Sequence, residues 1–241
     1  MNENHDRPQD EATAMVNSAL VPVPKLEEDS YDWYARHEAI LRIGRRVNPE
    51  IVLIGDSITH FWSGEPKDYP SARGPLAWER AFGQFRTLNL GFGWDRVQNV
   101  LWRLDHGEFD GLHPRLVILN IGTNNLTGTA NARENTPVEI VEGIGEIVRR
   151  LRTFVPNVRI IQMGVFPRGQ SPTDDFRPKI AEINRLLSLT TAQRRVEFLD
   201  IGSRMLQPDG SISPEIMDDF THPTEKGYQI WANAIAPWLT K

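Results

Sequence analysis

The chain has no cysteine among its 241 residues. Disulfides, thiolate catalysis and cysteine-based zinc or iron–sulfur sites are excluded together, so stability has to come from the core. It also lacks an excess of positive charge: 27 Lys and Arg against 32 Asp and Glu give a net charge of −5. Neither nucleic acid nor an anionic membrane surface is an expected partner. No apolar run approaches the roughly 20 residues of a membrane span. The first residues carry no basic n-region, and the apolar stretch Ala19 to Val23 is short and broken by Pro22 and Pro24. These features predict a cytoplasmic protein without a membrane span. Nucleotide chemistry has no support either: there is no G-x-x-x-x-G-K-[ST] loop, and "GFGWDR" lacks the third glycine of the dinucleotide fingerprint.

What is present is a regular alternation. Residues 1–22 are rich in Asn, Asp, Glu, Gln and Pro and read as a mobile tail, leaving 23–241 as one domain. Ser30 is expected to cap a helix over "YDWYARHEAILRIGRRV". Five short apolar runs follow, "EIVLIG", "FRTLNLG", "RLVILNIG", "VRIIQMGVF" and "VEFLDIG". Their length and branched residues predict strands buried on both faces. Helices are predicted between and after them, at Leu76–Phe82, Arg96–Asp105, Pro137–Phe154, Phe176–Arg194 and Glu225–Leu239. Strand and helix in turn imply an α/β fold of three layers, α/β/α, around a five-stranded parallel sheet in a flavodoxin-like order.

Such sheets bind ligands beyond the carboxyl ends of their strands. The first run is followed by Gly55-Asp56-Ser57, the second by Gly91-Phe92-Gly93-Trp94-Asp95, the third by Gly122-Thr123-Asn124-Asn125, and "DDFTHPTEKG" precedes the last helix. A serine, an asparagine, turn amides and a histidine three residues after an aspartate are the parts of acyl transfer by a serine nucleophile. In that reading Ser57 attacks, His222 takes its proton, Asp219 holds the imidazole, and Asn124 with backbone amides stabilises the oxyanion. Each piece has a plainer reading: Gly-Asp-Ser as a capped turn, the asparagines as turn formers, Asp219 and His222 as exposed groups at a helix start. The argument rests on their joint order at successive strand ends.

That order resembles the GDSL esterases, or SGNH hydrolases. Gly55-Asp56-Ser57 is similar to their first block, "NLGFGWD" (89–95) to the second, "GTNN" (122–125) to the third, and Asp219-Phe220-Thr221-His222 to the last. The resemblance extends, over roughly 48 to 240, to the catalytic subunits of platelet-activating-factor acetylhydrolase Ib, through "VQNVLWRLDHGEFDGLHPRLVIL", "FPRGQSP" and "DDFTHPTEKGY". It implies Ser57, Asp219 and His222 as the triad, with an oxyanion hole built from the Ser57 amide, the amide of the second block and the Asn124 side chain. The family's glycine donor is replaced here by Trp94, with Gly93 as the other choice. Asp56, Gly93, Trp94 and Asn125 are the expected neighbours of a bound ester.

The function expected is hydrolysis of small, acetyl or short-chain, acyl esters through an acyl-enzyme, with no cofactor and no metal. A small-molecule ester is the only partner required, and the resemblance adds a homodimer. The same residues would serve a carbohydrate O-acetylesterase or a thioesterase, and a non-catalytic binding subunit is the rival outside enzymes. His60, close to Ser57 in sequence, is assigned to packing or capping. His106, Asp110 and His113 follow no metal-ligand spacing. Arg168 is read either as a contact for an anionic substrate group or as a surface side chain.

Overall fold

The computed structural model describes residues 16–67, 72–192 and 196–240. Five parallel strands, β1 (Ile51–Gly55), β2 (Thr87–Gly91), β3 (Leu116–Asn120), β4 (Arg159–Met163) and β5 (Glu197–Leu199), form one sheet in the order β2-β1-β3-β4-β5. Alternate side chains of each strand leave opposite faces, and two separate cores result. Val52, Ile54, Leu88, Leu90, Val117 and Leu119 point to one side, where α1 (Trp33–Val47), α4 (Val97–Asp105), α5 (Pro137–Phe154) and α6 (Phe176–Thr191) cover them. Ile51, Leu53, Leu116, Ile118, Ile161 and Met163 point to the other, under α2 (Ser57–His60), α3 (Pro75–Phe82) and α7 (Glu225–Leu239). The expected three layers and strand order are therefore present. β5 departs from the expectation of burial on both faces: it is a sheet edge of three half-buried residues.

Helix limits follow local chemistry. Thr136 and Glu139 cap α5 reciprocally with Pro137 in the first turn. The cap of α1 is Asp32, whose side chain accepts the Ala35 N–H at 3.0 Å, not Ser30, which lies outside the first turn. α6 ends at Thr191, and the last residues expected of it, 193–194, lie outside the described residues.

The expected tail, 1–22, lies outside the described residues up to position 15. Its last part is held against the domain. Ser18–Leu20 make a turn of 3₁₀ helix with Ala19 fully buried. Gly143 of α5 lets that turn seat, since a Cβ there would stand 3.0 Å from the Ala19 carbonyl oxygen. The Asn99 amide then binds the carbonyls of Val23 and Pro24 at 3.2 and 2.7 Å. Composition missed this strap because one small buried side chain and hydrogen bonds from Asn17, Asn99, Arg133 and Asn135, not bulk hydrophobicity, hold it.

Strand register places the site. Gly55 pairs with Gly91 on one side and with Asn120 on the other, so three strands end level. α2 lies directly on that edge: a Cβ on Gly91 would fall 2.2 Å from the His60 backbone nitrogen. Tyr228 of α7 reinforces the seat by donating its hydroxyl to the Ile58 carbonyl at 2.7 Å.

Candidate active site

β1 hands the chain to α2 through Asp56, whose Oδ1 accepts the Ile58 N–H at 2.9 Å as a helix cap. Ser57 is thereby the first residue of α2, with its hydroxyl at the mouth of a cleft of about 410 Å³. His222 lies 165 positions along the chain, yet its Nε2 is 2.8 Å from Ser57 Oγ. Its Nδ1 is 2.7 Å from Asp219 Oδ2. The other carboxylate oxygen of Asp219 accepts the backbone N–H groups of Thr221 and His222 at 3.0 and 2.7 Å. Burial alone would raise the Asp219 pKa, but the hydrogen bonds from the His222 backbone and ring outweigh it and hold the carboxyl below its usual range.

The loop bearing these two residues turns sharply at Phe220, which has φ 59°. Arg73 clamps it. The guanidinium donates to the Pro223 carbonyl at 3.2 Å, to the His222 carbonyl at 3.4 Å and to the Asp218 carboxylate. The Arg73 backbone N–H reaches the Phe61 carbonyl at 2.7 Å, so one residue ties the histidine loop to the end of α2.

The turn after β2 supplies the second wall. Trp94 has φ 62°, a conformation costly for any residue with a bulky side chain. Its neighbours hold it there. The Gly93 N–H donates to Nδ1 of buried His60 at 3.2 Å, and the Gly93 carbonyl accepts from the Tyr31 hydroxyl at 3.2 Å. Asp95 is fixed from both sides, by Trp33 Nε1 at 2.7 Å and Arg103 Nε at 2.8 Å. Arg103 is itself buried and paired with Glu108. The Asp95 backbone carbonyl accepts one amide hydrogen of Asn124 at 2.9 Å, which turns that side chain toward the cleft. With Gly93 engaged, the Ser57 and Trp94 N–H groups and the second Asn124 amide hydrogen remain without protein partners among the described residues.

Three expected substrate neighbours do not line the cleft. Asp56 is fully buried behind Ser57, Gly93 is engaged with His60 and Tyr31, and buried Asn125 binds the Val97 N–H, Gln98 and Asn135. Their side chains and amides hold backbone in place. Trp94, Ser57, Asn124, Asp219 and His222 do line it, and so does Arg168. Asp29, Phe61, Arg73 and Thr221 also line it, although nothing in their local sequence singles them out. His60 packs edge-on to Tyr31, ring centroids 4.6 Å apart. His106 stacks on Trp102 at 3.6 Å. Among the described residues no group of three or more His, Asp or Glu is placed to hold a metal ion.

Among the described residues Asp56 Oδ2 has no hydrogen-bond partner, and burial pushes this carboxyl up to about 7 against the opposing Ile58 N–H bond. An unfolded aspartate titrates near 3.9. Between about pH 4 and 7 the native chain holds a proton that the unfolded chain has released, so this group's contribution to stability falls as pH rises through that window. Asp95, raised by burial to about 6, acts in the same direction. Asp56→Asn keeps the capping oxygen and removes the titration. The drop in urea midpoint between about pH 4.5 and 7.5 is therefore expected to be smaller in the variant than in the native chain. An equal drop would contradict the assignment.

At the carboxyl edge of a parallel α/β/α sheet, a serine, a histidine and an aspartate stand in hydrogen-bond sequence. The chain belongs to the GDSL-like lipase/acylhydrolase family, whose model matches residues 53–230. It is 32% identical over 214 residues to the human platelet-activating factor acetylhydrolase IB subunit alpha2, covering 88% of this chain and 86% of that one. The subunit beta homolog of Drosophila melanogaster is 31% identical over 207 residues, with 86% and 84% covered. Among solved structures, a putative acylhydrolase from Bacteroides fragilis shares the fold with TM-score 0.66 at 20% identity, covering 88% of this chain and 98% of that one. An acetyl-xylooligosaccharide esterase from Geobacillus does so with TM-score 0.63 at 17% identity, covering 80% and 94%. No helix among the described residues is long and apolar enough to cross a membrane.

Proposed function

We propose that the chain hydrolyses short-chain, chiefly acetyl, esters through an acyl-enzyme formed on Ser57. The observation that carries this reading is the continuous relay Ser57 Oγ, His222 Nε2, His222 Nδ1, Asp219 Oδ2, with links of 2.8 and 2.7 Å. As Ser57 Oγ attacks the carbonyl carbon, its proton passes to Nε2, and Asp219 stabilises the resulting imidazolium. The carbonyl oxygen becomes an oxyanion facing the Ser57 and Trp94 amides and the free amide hydrogen of Asn124. Collapse breaks the ester C–O bond, and the alkoxide leaves with the proton from Nε2. Water then attacks the acyl-enzyme, gives a proton to Nε2, and the acid departs as that proton returns to Ser57.

Cleft chemistry supports a short acyl group. Phe61 and Trp94 are the apolar side chains among its described lining residues, so a long alkyl chain finds little surface against which to leave water. The names of the animal relatives, acetylhydrolase subunits, support the same choice. The test is covalent: a fluorophosphonate should label Ser57 and stop hydrolysis of p-nitrophenyl acetate in proportion to labelling. Turnover that persists in fully labelled protein would end the proposal.

A further inference from the structure

The bend that carries Trp94 is a four-residue turn, Phe92 to Asp95, closed by the Asp95 N–H on the Phe92 carbonyl at 3.2 Å. Trp94 is its third residue, with φ 62°, while Gly93, its second, lies outside the left-handed region. That combination is a type II turn, whose third position ordinarily holds glycine. A type I turn differs from it by one movement: the central peptide, here Gly93–Trp94, turns over by about 180° and the third residue passes to a φ of about −90°. Tryptophan is at ease there and costly where it stands. Left to its local preference, this turn takes the other form.

The orientation of that one peptide decides what the turn offers the cleft. In a planar trans peptide the C=O and N–H point in opposite directions, so the partner of the Gly93 carbonyl fixes where the Trp94 N–H is aimed. That partner is the Tyr31 hydroxyl, at 3.2 Å. Turned over, the peptide would withdraw the N–H and present a carbonyl oxygen, which repels developing negative charge. The other bonds of the turn do not prevent this. The Gly93 N–H on His60 belongs to the preceding peptide, and the closure from Asp95 to Phe92 exists in both turn types. Tyr31 is held in place by its ring, edge-on to His60, and by Trp33 two residues on, which donates to Asp95 at 2.7 Å. Burial, and after it the charge of Asp95, keeps the phenol far above its usual pKa, so the hydroxyl is a donor throughout the working pH range.

We propose that Tyr31 is a positioning residue of this site: its hydroxyl holds the Gly93–Trp94 peptide in the orientation that offers the Trp94 N–H to the oxyanion. This rests on the esterase reading above. The hold matters because residue 94 is tryptophan, whereas glycine would keep the type II form unaided. Tyrosine and tryptophan are therefore coupled, and general support of the fold by Tyr31 would produce no such coupling.

The experiment is a double-mutant cycle on hydrolysis of p-nitrophenyl acetate by the native chain, Tyr31→Phe, Trp94→Gly and the double variant. Tyr31→Phe keeps the ring beside His60 and removes only the hydroxyl. It is expected to lower kcat about tenfold or more with KM little changed, because the oxyanion exists only after attack. In the Trp94→Gly background the same substitution should cost less than about threefold. The crystal structure of Tyr31→Phe should show the Gly93–Trp94 peptide turned over, with Trp94 at negative φ. An unchanged kcat, an equal loss in both backgrounds, or a peptide that keeps its orientation in that crystal structure overturns the role of Tyr31 while leaving the esterase intact. A native chain that does not turn over the ester removes the esterase reading instead, and the peptide orientation in Tyr31→Phe still decides whether the hydroxyl holds the turn.

Discussion

Ser57→Ala is expected to lower kcat for p-nitrophenyl acetate by a factor on the order of 10⁴ or more, with the fold unchanged. The hydroxyl is the only group removed. Among the described residues its one side-chain partner is His222, and alanine is well suited to the first turn of α2. The Asp56 cap, the bond from Tyr228 to Ile58 and the close seat on Gly91 all persist, because each engages α2 through other atoms. Oxyanion donors and bound substrate would leave a small residual rate, since amides still polarise the carbonyl toward attack by water. Thermal unfolding and circular dichroism indistinguishable from the native chain, together with the lost rate, are the expected pair of results. A variant that keeps its rate would remove Ser57 from the chemistry.

Asp219→Asn is expected to reduce kcat by between about 10² and 10⁴, the upper figure being that of a fully buried triad. The reason is tautomeric. A carboxylate accepts the Nδ1 proton and so leaves Nε2 free to receive the proton of Ser57. An asparagine that keeps its oxygen on the Thr221 and His222 amides must turn its NH₂ toward Nδ1. The ring proton then moves to Nε2, which becomes a donor to Ser57. Because the Asp219 side chain is 47% exposed, water can replace part of its influence, which lowers the expected loss from the buried extreme. KM should change little, since Asp219 does not face the carbonyl. A loss confined to KM would contradict its role as the orienting group.

Much of this site is legible before folding. The glycine-marked strand ends are legible because a parallel sheet has one functional edge, and Gly55, Gly91 and Asn120 do end level on it. The pairing of Ser57 with His222 is legible from chemistry and block order, against the pull of the nearer His60. What could not be read is the direction of side chains next to Ser57. Asp56, Gly93 and Asn125 sit beside cleft-lining residues in sequence, but one turn of backbone points them into the protein. Conversely, Asp29 and Arg73 come from segments with no periodic pattern, and only the folded path brings them to the cleft. Trp94 shows both limits: its departure from a glycine is visible in the sequence, whereas its φ of 62° and its exposure at the cleft are properties of the fold.

The central claim is that Ser57 forms the covalent intermediate, and the site of a fluorophosphonate label tests it most directly. Peptide mass mapping of the labelled protein is expected to show a single adduct, on the peptide containing Ser57, with esterase activity lost in step with its formation. An adduct on another residue, or an unlabelled Ser57 in a chain whose activity has been lost to the reagent, would contradict it.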